Sequence, residues 1–458
     1  MKGTIDPGSF RDPAGSVFRY KDEVYRQITE VGKADYDALM STGLYDALIA
    51  KQLLIAHKEV KNDFDLSAYK IIKPKTIPFI SYPYEWSFSQ LKDAALVTLE
   101  IQKVALAYGM ELKDASGYNI QFLDGKPIFI DTLSFRKRAT DAPWEGYGQF
   151  CRHFLAPLAL MAKVDIELNK LLITAIDGIP LDTANKLLPR TTKLKPGIFM
   201  HLSLHARSQA KHAATTAATP KQTKVSTTAL LGIISSLGST VRSLRPKSPH
   251  TEWADYYNFT NYNSSSFGEK KKLVKTLIKK TKATQVLDIG ANNGLFSRVA
   301  AEVSELVISA DIDPFAVEHN YLTLKQNNEK SILPLKLDLI NPSPAIGWAN
   351  NERQNITKRC QSIDLVMALA LVHHLALSNN VPLPKIFEYF TQLAPYLLIE
   401  FVPKEDSQVK KLLATRKDIF PDYTIEGFEA AAKKYYKVTQ KVPIKNSHRV
   451  LYLLERKG

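Results

Sequence analysis

The segment Gln285–Glu305, QVLDIGANNGLFSRVAAEVSE, narrows the fold of this chain more than any other. Val286–Ile289 is a short apolar run closed by a turn, which predicts a buried strand. Gly290 and Gly294 fall in the turn, and Leu295–Val303 has the apolar spacing of a helix. In such a strand–turn–helix unit, glycines let the backbone approach a bound nucleoside closely. The first N–H groups of the helix are also free. The pattern then recurs. Leu306–Ala310 ends at Asp311, which lies 23 residues beyond Asp288. An acid about twenty residues past a glycine turn is placed to take both ribose hydroxyls. Leu333–Leu337 ends at Asp338-Leu339, Ile363–Leu369 leads into Val372-His373-His374, and Pro395–Glu400 closes the series. Strands alternating with helices predict an α/β sheet with parallel strands. The residues alone leave a dinucleotide-binding sheet open as the alternative.

The ordered set resembles class I S-adenosylmethionine-dependent methyltransferases. Their usual first motif is acid-x-Gly-x-Gly-x-Gly. Here it is Asp288-Ile-Gly290-Ala-Asn292-Asn293-Gly294, with Asn292 at the middle glycine. The resemblance implies a Rossmann-like fold from about residue 251 to 458, with S-adenosylmethionine as cofactor. It implies Asp288, Gly290 and Asn293 near the methionine part, Asp311 at the ribose, Ile312 against the adenine, and Asp338 near the adenine amino group, with Asn292, Gly294 and Leu339 also among the cofactor-binding residues. It implies no metal in this domain.

Methyl transfer from a sulfonium is an in-line displacement, so proximity and alignment do most of the work. An oxygen acceptor also gains from a general base. His373, His374 and Glu400 follow strands four and five, where such machinery sits in a parallel sheet. No Asn-Pro-Pro-Tyr-like or Asp-Pro-Pro-Tyr-like segment follows strand four, which disfavours methylation of exocyclic base nitrogens. Neither cysteine, Cys151 or Cys360, follows strand four or five, which disfavours cytosine C5 chemistry. An oxygen acceptor is the leading expectation. Ahead of the fold, Trp253, Tyr256, Tyr257, Phe259 and Tyr262 are candidates for a lid whose π faces attract the sulfonium.

The N-terminal half carries a second signal. Asn119–Leu123 and Pro127–Ile130 flank Asp124-Gly125, a strong hairpin turn. Asp114 lies five residues before Asn119, and Asp131 lies twelve after it. This spacing resembles the catalytic loop and metal-binding hairpin of protein-kinase-like and aminoglycoside-kinase-like folds. In those, an Asp is base, an Asn holds metal and a later Asp holds metal. The resemblance implies Asp114, Asn119 and Asp131 in those roles, with Mg-ATP as ligand. Helices at Gln90–Tyr108 and over residues 146–163 suit it. A glycine-rich phosphate loop is missing, and Arg26 in EVYRQI is the candidate for the usual strand-three lysine. The combination of PYEWSF, FIDTLSF and the later glycine turn resembles a nodulation-protein-like group of bacterial methyltransferases.

Four regions are therefore expected: a flexible leader at 1–15, a mixed α+β, kinase-like domain at 16–205, an Ala/Thr/Ser/Lys-rich linker at 206–250, and the methyltransferase domain at 251–458. Within the linker, Ala229–Leu237 is apolar and predicts a short docking helix. Two distant cysteines exclude a disulfide framework and a cysteine-rich metal site. No apolar run is long enough for a membrane span, and the leader lacks a signal-peptide core, so a cytoplasmic enzyme is expected. The net charge of +15 favours acidic partners, with membrane-surface contact among them. The leading reading is O-methylation of a glycan, glycolipid precursor, other lipid-linked saccharide or small molecule, with the N-terminal domain recognising the acceptor. The other readings are a bifunctional kinase–methyltransferase acting on a saccharide end, a nucleic-acid methyltransferase, and a scaffold with a vestigial cofactor turn.

Overall fold

The computed structural model describes residues 3–21, 23–64, 66–206, 224–246, 264–414 and 417–458. The chain divides into two compact units. Unit 1 comprises Met1–Ser248 with the excursion Ala345–Gln354, and unit 2 comprises Pro249–Pro344 with Asn355–Gly458.

Unit 1 begins with strands β1 (Thr4–Ile5), β2 (Gly15–Tyr20), β3 (Glu23–Ile28), β4 (His57–Val60) and β5 (Lys70–Pro74). They form an antiparallel sheet in the order β1-β2-β3-β5-β4. The leader was expected to be flexible, but it supplies the edge strand: Thr4 and Ile5 pair with Arg19 and Phe18. Helix Phe88–Ala107 follows, close to the expected span. Its Ser87 hydroxyl accepts from the Gln90 amide, while the Gln90 side chain reaches back to the Ser87 amide. That reciprocal cap fixes where the helix starts. Next come β6 (Met110–Leu112), β7 (Ile120–Leu123), β8 (Lys126–Phe129) and β9 (Phe135–Lys137). They pair as β6-β9 and as the hairpin β7-β8. Asp124 and Gly125 both have positive φ, 52° and 75°, as a two-residue hairpin turn requires.

In the expected linker, the apolar island belongs to a longer helix, Thr227–Ser243, with Leu230, Ile234, Leu237 and Val241 buried. The excursion Ala345–Gln354 is held within unit 1. The Glu352 carboxylate accepts two bonds from Arg11 at 2.9 and 2.7 Å, and the Arg353 guanidinium lies 4.3 Å from the Tyr118 ring centre.

Unit 2 is one sheet of β10 (Gln285–Ile289), β11 (Leu306–Asp311), β12 (Ile332–Lys336), β13 (Leu365–Ala368), β14 (Tyr396–Phe401), β15 (Tyr436–Pro443) and β16 (Val450–Arg456). The order is β12-β11-β10-β13-β14-β16-β15. The first five strands run parallel, and β16 is antiparallel to both β14 and β15. The central strands are apolar on both faces, as helices on each side of a parallel sheet demand. Order reverses between β10 and β13, so the carboxyl ends of these two strands open a crevice. The closing antiparallel hairpin separates this sheet from the all-parallel dinucleotide-binding form left open above. Among the described residues no helix is long and apolar enough to cross a membrane.

Candidate active site

The crevice of unit 2 is a cleft of about 260 Å³ at the carboxyl ends of β10, β11 and β13. Its turn is shaped by backbone conformation. Gly290, Asn292 and Gly294 have φ of 76°, 51° and 79°. Asparagine tolerates the left-handed region better than other side chains, which explains how Asn292 can replace a glycine. A Cβ on Gly294 would stand 2.4 Å from the Asn320 side chain, so only glycine suits that position. The Gly290 and Ala291 amides donate to Ala310 O at 2.9 and 3.0 Å, which ties the turn to β11.

Two acids face each other across this turn. Asp288 is buried on β10, and its Oδ2 accepts from the Ser297 hydroxyl at 2.6 Å. Burial pushes its carboxyl up to about 7, against the opposing pull of Ser297 and Lys270. Asp311 ends β11. Its Oδ2 accepts from the Asn292 amide at 2.7 Å and its Oδ1 from the Asp313 amide at 2.9 Å. Burial raises its pKa as well, and those amide bonds oppose the rise. Each oxygen of Asp311 keeps a lone pair for a ribose hydroxyl. Ile312 is exposed beside it, and Asp338, Leu339 and Ile340 continue the wall. Asp338 Oδ1 accepts from the Ile340 amide at 2.8 Å. Asn293 lies in the same turn, and its Oδ1 is buried with no hydrogen-bond partner among the described residues.

The three residues expected near the acceptor separate. His374 lines the cleft. His373 is 1% exposed, outside that lining, with its ring centre 4.2 Å from that of His374. Burial pushes both imidazoles toward the neutral form. Glu400 is 0% exposed on β14 and lies outside the lining too. Its Oε2 accepts from Lys270 Nζ at 2.7 Å, and Arg449 Nη1 stands 3.6 Å from its Oε1. Glu400 is thus a counter-ion between two cations. Arg449 also donates to Asp406 at 2.7 Å. Lys270 and Arg449 line the cleft, and the sequence reading missed both. Lys270 left a trace: it is spaced four and seven residues from Val274 and Leu277, on the apolar face of helix Ser264–Thr281. Arg449 left none. The five aromatics at 253–262 lie outside the described residues.

The donor set suits S-adenosylmethionine. Asp311 offers acceptors to a ribose and Asp288 offers acceptors to an ammonium, while Asn293 and Gly294 lie outside the cleft lining. Lys270, whose charge bears on Asp288, is the cation at that end for a carboxylate.

In unit 1 the structure brings Asp114, Asn119 and Asp131 together. Asp114 Oδ1 accepts from the Ser116 amide at 2.9 Å, and its carboxyl is pushed up first by burial and then by the nearby Asp131. Arg26 on β3 binds Asp131, and its Nη2 stands 3.5 Å from Asp12. The guanidinium therefore bridges the two carboxylates. Among the described residues no group of three or more His, Cys, Asp or Glu is arranged to hold a metal ion. Nothing here supports the expectation of Mg-ATP.

Strand order, glycine turn and strand-end acids define the class: unit 2 is a Rossmann-like domain of an S-adenosylmethionine-dependent methyltransferase. Along its length the chain is 35% identical to the nodulation protein NoeA of Rhizobium meliloti (strain 1021), over 98% of this chain and 95% of that one. The chain belongs to the NoeA family. No protein-family profile matches it. Solved structures with some likeness include the methyltransferase domain of bacterial CtHen1, at 15% identity over 42% of this chain and 100% of that one, TM-score 0.32. The N-methyltransferase NodS of Bradyrhizobium japonicum WM9 is 12% identical over 43% and 99%, TM-score 0.32. The bifunctional kinase-methyltransferase WbdD is 15% identical over 45% and 42%, TM-score 0.29. Likeness at this level adds nothing to the fold assignment already made from strand order.

Proposed function

We propose that this enzyme methylates an oxygen of a glycan, lipid-linked saccharide or small-molecule acceptor, and that unit 1, a kinase-like domain, recognises that acceptor. The observation that carries the catalytic part is His374, a neutral imidazole in the lining of the cofactor cleft, past the end of β13. Bound S-adenosylmethionine would supply an electrophilic methyl group on a sulfonium. Asp311 would hold the ribose hydroxyls, Ile312 would cover the adenine, and Asp338 with Leu339 would meet its edge. Asp288 would take the ammonium, and Lys270 would take the carboxylate. That methyl would pass to the acceptor oxygen and leave S-adenosylhomocysteine. The hydroxyl proton passes to His374. Burial makes that imidazole a weak base, so it acts by position more than by basicity. His373 packs behind it, and Glu400 keeps Lys270 and Arg449 in place.

The kinase-like reading of unit 1 is supported by its element order. A five-stranded antiparallel sheet precedes a long helix, then a loop with Asp114 and Asn119, a hairpin, and Asp131. The binding of Asp131 by Arg26 favours recognition over phosphoryl transfer, because the acid that would hold a metal is already taken by a guanidinium.

The test is transfer of labelled methyl from S-adenosylmethionine into fractionated extract, with Asp288→Ala as control, with and without Mg-ATP. Label in a glycan or lipid fraction is expected. Label in an RNase-sensitive fraction would replace this reading with nucleic-acid methylation. Dependence on Mg-ATP would replace recognition by unit 1 with phosphoryl transfer.

A further inference from the structure

Unit 1 contains a second cleft, of about 470 Å³, that the reading above does not use. That volume falls in the range of small-molecule sites, roughly 300–1,000 Å³. One wall is aromatic and fixed in place. The Tyr147 hydroxyl bonds His201 Nδ1 at 2.9 Å, and His201 Nε2 bonds the Ser236 hydroxyl at 2.9 Å. The Tyr147 ring packs against His205 with centres 4.7 Å apart and planes tilted by 31°. Trp144 is anchored through Nε1 to Leu112 O at 2.7 Å. A wall held this way loses little freedom when a ligand settles on it.

The cleft carries two cations in its lining, Lys113 and Arg152. Lys113 Nζ stands 3.6 Å from Asp35 Oδ2, and Arg152 is braced by its Nε donating to Asp177 O at 3.2 Å. The acid in the lining, Glu145, is paired with Arg136. Burial pushes His201 down to about 4 and also lowers His205, so at neutral pH these rings are neutral hydrogen-bonding groups. Gln149 adds an amide beside them, with its Oε1 on the Ala115 amide at 2.7 Å. The cleft therefore offers two cations at the lining, an aromatic face, and neutral donors and acceptors. A ligand that uses all three has a negative group, a ring with an apolar face, and several hydroxyls.

We propose that this cleft binds an anionic sugar, a sugar phosphate or a uronate, with the negative group at Lys113 and Arg152 and the ring against Tyr147. The proposal rests on the reading that unit 1 recognises the acceptor, and it names the class of that acceptor. It places the recognised negative group at Lys113, next in the chain to Asp114.

The test is calorimetric titration of the full chain with glucose 6-phosphate, glucuronate, glucose, inorganic phosphate and ADP. S-adenosylhomocysteine is titrated on the same samples. At least one anionic sugar binds tenfold or more tightly than glucose and than phosphate, and which of the two does so identifies the anion. Arg152→Ala and Lys113→Ala each weaken that binding at least fivefold, and Tyr147→Ala weakens it too. None of the three changes the affinity for S-adenosylhomocysteine. Equal binding of glucose and the anionic sugars, tighter binding of ADP, or indifference to both cation variants overturns the proposal. Absence of any sugar binding while S-adenosylhomocysteine binds normally overturns it and leaves the methyltransferase intact. Failure of S-adenosylhomocysteine to bind would instead remove the cofactor reading itself.

Discussion

Replacing Lys270 by methionine separates cofactor recognition from fold stability. Lys270 Nζ lies 2.7 Å from Glu400 Oε2 and 4.8 Å from the Phe296 ring centre, in the lining of the cofactor cleft. A buried ligand carboxylate must meet a cation, and hydrogen bonds to charged groups contribute about 1.5–3 kcal/mol. At about 1.4 kcal/mol per decade, Lys270→Met should weaken S-adenosylhomocysteine binding by roughly 10- to 150-fold. 5′-Methylthioadenosine lacks the amino-acid portion, so its affinity should stay within about twofold. The substitution also strips Glu400 of its nearest partner. Breaking a buried ion pair typically costs about 3–5 kcal/mol, and Arg449 at 3.6 Å limits the loss to the lower part of that range. The thermal midpoint therefore falls, while the ratio of the two affinities reports on the carboxylate alone. Lys270→Arg should recover part of the lost affinity. Equal loss for both ligands, or no loss for either, refutes the assignment of Lys270 to the carboxylate.

Three further outcomes follow from the same geometry. Asp311→Ala removes both the ribose acceptors and the anchor of the Asn292 amide; titration should show S-adenosylhomocysteine binding weakened by two orders of magnitude or more, at about 1.5–3 kcal/mol for each charged hydrogen bond. Gly294→Ala imposes a left-handed φ of 79° on alanine and a contact of 2.4 Å with Asn320; with strain of about 1–2 kcal/mol plus the clash, the thermal midpoint should drop by several degrees. The third concerns pH. The folded protein binds a proton on Asp288 more tightly than the unfolded chain does, because burial raises its carboxyl from 3.8 to about 7. Its contribution to stability therefore falls as pH rises between those values. In ligand-free protein the thermal midpoint should decline across that window, and Asp288→Asn should flatten the decline and lose cofactor affinity; an unchanged slope would show that Asp288 does not carry the titration.

The parallel sheet was legible because both of its faces are buried. Strands such as β10 and β13 must be continuous apolar runs, and the turn after β10 needs residues that accept positive φ. Those demands write themselves into composition. The closing hairpin was not, because β15, YKVTQKVP, mixes lysines and polar residues with its apolar ones and reads as a solvated segment until β16 is beside it. The site divides in the same way. Asp288 and Asp311 are tied to the turn by local hydrogen bonds, and their spacing survives in one dimension. His373 and His374 are adjacent, and only the π-type turn His374–Ser378 decides which one lines the cleft. Glu400 looked like an acceptor-binding acid because its partners, Lys270 and Arg449, are 130 and 49 residues away. Arg26 shows the limit most clearly. Its place on β3 marked it as a stand-in for lysine, but it binds Asp131, and Asp12, in a stretch that reads as a flexible leader, stands 3.5 Å away. Two carboxylates distant in sequence make it an internal bridge. A residue type at a motif position therefore does not establish an activity until the charges brought to it from elsewhere in the chain are counted.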